Sequence, residues 1–101
     1  MKILLIEDSR LLRITTERTL MRAGYEVITA VDGEEGLRLA VESNPDLVLL
    51  DMMLPKLSGQ EVLRKLRLNA ASASTPVIVL TSLSGSNREK GFPAALISRA
   101  N

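Results

Sequence analysis

Apolar positions in this chain come in two textures that alternate from the first residue. Ile3-Leu4-Leu5-Ile6, Leu47-Val48-Leu49-Leu50 and Val77-Ile78-Val79-Leu80 are short, uninterrupted apolar runs. Such runs fit strands buried on both faces, which belong to parallel sheets covered by helices. Between them the apolar residues fall into a helical period. Over Ser9 to Ala23, Leu12, Thr16 and Leu20 form one i, i+4 row with Leu11 and Ile14 close by, and Gly24 suits the position just past a helix end. Tyr25 to Ala30 predicts a more polar strand, nearer an edge. Asp32-Gly33-Glu34-Glu35 is a capping box that opens a second helix, with Leu37, Ala40 and Val41 as its expected buried stripe. Asn44-Pro45 ends that helix and delivers the strand at Asp46 to Leu50. Ser58-Gly59-Gln60-Glu61 opens a third helix, with Val62, Leu63 and Leu66 on its apolar face.

After the small-residue loop from Asn69 to Thr75, the fourth strand ends at Thr81-Ser82. Ser84 to Asn87 predict a loop and helix start, followed by Arg88-Glu89-Lys90. Gly91, Pro93 and the run Ala94-Ala95-Leu96-Ile97 then permit only a broken or two-piece helix. Alternating strands and helices with short connections imply right-handed crossovers and a doubly wound α/β sheet.

Two of the apolar runs stop at acid. Glu7-Asp8 follow the first, and Asp51 follows the run at 47–50. Ligands of open parallel sheets bind beyond the carboxyl ends of the strands. With these two strands as neighbours, Glu7, Asp8 and Asp51 converge on one patch. Carboxylates so placed repel unless a proton or cation neutralises them, and a hard divalent ion with oxygen ligands, Mg2+ above all, suits them. Taken singly, an acid at a strand end serves as often as a helix cap or a solvated loop residue.

Composition narrows the chemistry. The 101 residues suffice for one domain, at 46% apolar and 25% charged. Net charge is +1, which gives no electrostatic case for nucleic acid, and Arg10, Arg13, Arg18 and Arg22 read as a solvated helix surface. With no cysteine and no histidine, disulfides, zinc sites and histidine-based catalysis are excluded. Tyr25 and Phe92 are the only aromatics, too few for base stacking. No run approaches a membrane span, and acids follow the first apolar run too soon for a signal peptide, so a cytoplasmic protein is expected.

These residues resemble the receiver domain of bacterial two-component response regulators, over residues 1–90. Glu7-Asp8 match the acidic pair after that family's first strand, with Asp8 in the place of the direct metal ligand. Asp51 matches the phosphoacceptor aspartate. Met53 stands where a backbone carbonyl completes the metal site, and Thr81 matches the hydroxyl residue that contacts the phosphoryl group. Met52-Met53-Leu54-Pro55 and Ser58-Gly59 resemble the loop after the phosphoacceptor. The resemblance implies a flavodoxin-like fold with strand order 2-1-3-4. It fades over 91–101, where a fifth strand with a Lys-Pro pair and a fifth helix are missing or replaced. This tail reads as foreign to the family, as a frameshift, a natural truncation or an engineered junction would.

The resemblance further implies Mg2+ held by Asp8, Asp51 and the Met53 carbonyl, with Glu7 contributing through water. It implies phosphoryl transfer to Asp51 from a histidine kinase or phosphotransfer protein, and a downstream protein target rather than direct contact with nucleic acid or membrane. The absent lysine should impair the reaction or its transmission. The first alternative is a degenerate receiver that only binds other chains. A second is a phosphatase with an aspartyl-phosphate intermediate, which commonly needs an acid where Met53 stands. Without a fifth strand, the Val77–Leu80 strand would become an edge. A homodimer sharing that edge, the first helix or the tail is therefore expected.

Overall fold

The computed structural model describes residues 1–52, 54, 57–82 and 95–100, with backbone alone at 81, 82 and 95–100. The chain runs β1 (Lys2–Ile6), α1 (Arg10–Arg22), β2 (Glu26–Ala30), α2 (Gly33–Glu42), β3 (Leu47–Asp51), α3 (Gly59–Leu68), β4 (Val77–Ser82) and β5 (Ala95–Ala100). The strands make one sheet in the order β2-β1-β3-β4-β5, parallel through β4. This is the doubly wound order expected from the sequence, with one strand added.

Local signals set the helix ends. Ser9, Asp32 and Ser58 cap α1, α2 and α3, and their side chains accept from the N–H groups of Leu12, Glu35 and Glu61. At α2 the box is reciprocal in kind, because the Glu35 carboxylate accepts from Val31 N–H at 3.3 Å. At α3 the Glu61 carboxylate accepts from Arg64 at 2.9 Å.

Alternation along the strands divides the core. Leu4, Ile6, Val48, Leu50, Val77 and Val79 face α2 and α3, meeting Ala40, Val62 and Leu66. Ile3, Leu5 and Leu49 face the α1 side, where Leu20, Val27, Leu47, Ile78 and Leu80 pack as half-buried neighbours. That second layer is thin. No residue of α1 is fully buried, Leu12, Thr16 and Leu20 are half-buried, and Leu11 is 74% exposed.

Two expectations need correction. Val41 is not part of the buried stripe of α2 but 41% exposed. Ala40 is buried and Leu37 packs half-buried against the core as expected, and Gly33 and Gly36 complete the inner face, because α2 lies so close to β1 that a Cβ on Gly36 would fall 2.5 Å from Ile6 Cδ1. The second correction concerns the tail. Where a broken helix was expected, Ala95–Ala100 forms β5, antiparallel to β4, with Ser82 opposite Ala95 and Val77 opposite Ala100. The backbone groups along the side of β4 away from β3 need partners, and meeting that need outweighs a weak local helix preference. The Val77–Leu80 strand is therefore not an edge, and a homodimer sharing it loses its premise. The expected helix start at 84–87, the Arg88-Glu89-Lys90 segment and the break at Gly91 and Pro93 lie outside the described residues.

Candidate metal centre

Register alone brings the acids together. Ile6 pairs with Leu50, so the next residues, Glu7 and Asp51, stand side by side at the carboxyl edge of the sheet. Glu7 still belongs to the ladder through its N–H, which donates to Ala30 O at 3.0 Å. Asp8 is the first residue past it. Carboxylate oxygens of Glu7, Asp8 and Asp51 all lie within 4.8 Å of one another. Asp51 is fully buried, Glu7 is 4% exposed, and Asp8 opens to solvent.

Burial pushes the Glu7 carboxyl up from 4.5 to about 8, helped by a side-chain hydrogen bond with Asp51 and by the charge of Asp51. The Ser9 N–H, which donates to Glu7 Oε2 at 3.1 Å, pulls the other way without prevailing. Near neutral pH the Glu7 carboxyl therefore keeps its proton. A cation at that place would do the same neutralising work. Hard carboxylate oxygens, two buried and one open to water, fit Mg2+, which keeps several of its waters.

The backbone around the site is closely built. Gly59, at the start of α3, donates its N–H to Met52 O at 3.2 Å, and a Cβ there would meet Met52 Cα at 2.5 Å and Asp51 O at 3.0 Å. Only a residue without a side chain lets α3 approach the Asp51-Met52 segment this closely. On the opposite flank, Arg13 Nη1 donates to the carbonyl oxygens of Glu7 at 3.0 Å and Asp8 at 3.2 Å. Sequence reasoning placed Arg13 among the solvated arginines of α1 and missed this contact.

Of the remaining expected residues, Met53 lies outside the described ones. Thr81 is described by its backbone, in β4 one position past Leu80, which pairs with Asp51. It thus stands at the same edge of the sheet as the acids.

A family model described as "Response regulator receiver domain" matches residues 3–95. The chain belongs to this family. Receiver domains serve as phosphoacceptors in two-component signal transduction, and this one has their flavodoxin-like fold. It is 38% identical to Protein PilG of Pseudomonas aeruginosa over 84% of this chain and 63% of that protein. It spans about a third of the length of the longer transcriptional regulators it matches. Among solved structures, the N-terminal domain of a response regulator receiver protein from Methanoculleus marisnigri JR1 has a TM-score of 0.78 at 36% identity, covering 89% of this chain and 76% of that one. The receiver domain of sensor histidine kinase PA1611 from Pseudomonas aeruginosa has a TM-score of 0.78 at 34% identity, over 87% and 73% of the two chains. That structure holds a magnesium ion coordinated in its active-site cleft. Among the described residues of this receiver domain, no helix is long and apolar enough to cross a membrane.

Proposed function

We propose that this receiver domain accepts a phosphoryl group on Asp51 from the phosphohistidine of a histidine kinase or phosphotransfer protein, in the cytoplasm. The observation that carries this reading is the buried Asp51 carboxylate, with oxygens of Glu7 and Asp8 within 4.8 Å of it. One Asp51 oxygen attacks phosphorus, an O–P bond forms, the N–P bond to the donor imidazole breaks, and the imidazole leaves with the bonding pair. Asp8 and Asp51, together with the Met53 carbonyl that the family resemblance assigns, would hold Mg2+, and Glu7 would reach it through water. The bound ion supplies neutralisation of charge on the phosphoryl oxygens. The role that the family resemblance assigns to Thr81 is to donate a hydroxyl hydrogen bond to one of these oxygens.

The direction of β5 bears on how well the reaction proceeds. The family resemblance assigns a lysine to a strand end beside the phosphoryl group. Here β5 runs antiparallel, Ala95 and Leu96 stand opposite Ser82 and Thr81, and Arg99 pairs with Ile78, away from the acids. That placement supports impaired transfer, and it favours a second reading in which the domain binds partners without switching.

A small phosphodonor with Mg2+ tests both. The parent chain should gain one phosphoryl group by mass and Asp51→Asn none. Labelling of Asp51→Asn at the parent's level would show that another residue is the acceptor. No labelling of the parent, with Mg2+ still bound, would leave the interaction-module reading standing.

A further inference from the structure

Arg13 occupies a place that neither solvation nor helix electrostatics explains. It lies near the amino end of α1, where the helix dipole disfavours a cation and where no acid stands in the first turn. Its side chain is half-buried, and its guanidinium turns back to the carbonyl oxygens of Glu7 and Asp8. Those two carbonyls belong to the peptide planes on either side of the Asp8 Cα, so tying both fixes the direction in which the Asp8 side chain leaves the backbone. Asp8 needs such control more than its neighbours do. Glu7 is held by Ala30 and Ser9, and Asp51 is buried at the end of β3, whereas the Asp8 carboxylate is exposed.

We propose that Arg13 is a positioning residue for the metal centre: by clamping the Glu7 and Asp8 carbonyls it holds the Asp8 carboxylate within reach of Asp51 and raises the affinity for a hard divalent cation. The inference rests on the reading of the three acids as a Mg2+ site. It carries its own signature, because a nearby guanidinium repels a cation while an ordered ligand attracts one. Loss of the clamp and loss of the charge therefore move Mg2+ affinity in opposite directions.

The test is a Mg2+ titration of the full chain at fixed ionic strength, followed by the amide resonances of Asp8 and Asp51. Arg13→Ala should bind Mg2+ about tenfold more weakly than the parent, as is typical when the support behind a metal ligand is removed. Arg10→Ala removes a like charge one turn earlier on the same helix, and it should bind as the parent does or slightly more tightly. Arg13→Lys, whose ammonium can donate to both carbonyls, should recover part of the loss. Equal or tighter binding by Arg13→Ala overturns the inference and leaves Arg13 a mere source of repulsion. If Arg13→Ala does not fold, Arg13→Gln decides, since it is neutral and retains one donor group; tighter binding by it overturns the clamp. The Mg2+ site itself is checked separately with Asp51→Asn. Should that variant bind as the parent does, the metal-centre reading falls and takes this inference with it; weakened binding by Asp51→Asn beside unchanged binding by Arg13→Ala sinks the Arg13 role alone.

Discussion

At Glu7 a buried carboxyl titrates near 8 where an isolated one titrates at 4.5. Between those values the folded chain holds more proton than the unfolded chain, so stability falls as pH rises through the interval. The contribution is complete below about pH 4.5 and lost above about pH 8. Denaturant midpoints measured in chelator from acid to mildly alkaline pH should show this decline, and Mg2+ should flatten it by taking the proton's place. Glu7→Gln should remove most of the dependence in chelator; a slope as steep as the parent's would mean that another group titrates. The acids themselves were legible in the sequence, because strand ends in register place Glu7 beside Asp51 whatever the side chains around them. The depth of Glu7 was not. Sequence reasoning gave it the remotest role of the three, since how far a strand-end acid is covered depends on the loops that close over it. Arg13 was illegible for a related reason: its partners are carbonyl oxygens, which every residue possesses and no motif marks.

Among the elements, α3 is the one most closely fitted to the site. Adding a methyl group at Gly59 puts carbon against Met52 Cα and Asp51 O, so Gly59→Ala should cost about 1–3 kcal/mol by overpacking. It should also slow phosphoryl labelling of Asp51, measured alongside thermal unfolding. A variant that loses neither would show that α3 yields without disturbing the site. Deeper in the same helix, Leu66→Ala opens a cavity in the core layer that α2 and α3 cover and should cost about 2–5 kcal/mol in chemical denaturation. The starts of α1, α2 and α3 could be read from the chain because Ser9, Asp32 and Ser58 act on backbone groups only a few residues away. Which side of α2 turns inward could not be read as well. Val41 fits the apolar period, yet the close approach at Gly36 rotates it to the surface.

The whole sheet is covered unevenly, with α2 and α3 on one face and α1 alone, among the described helices, on the other. Its last strand is the feature furthest from what sequence could foretell, since β5 exists by virtue of a neighbour rather than its own pattern. Removing residues 95–101 should speed hydrogen exchange at the β4 amides that face β5 by about tenfold or more, while β1 amides keep their protection. Uniform exchange in both proteins would argue that β5 contributes no protection. The reversal of β5 also bears on the order in which the molecule assembles. Parallel neighbours must be brought from distant parts of the chain, as when Leu4 meets Val48, whereas Ser82 meets Ala95, 13 positions along the chain. Closing a short loop costs less entropy than closing a long one, and local pairings form sooner. The β4–β5 ribbon is thus free to form before the parallel core has closed, giving the growing sheet a finished border on which β3 and then β1 can add.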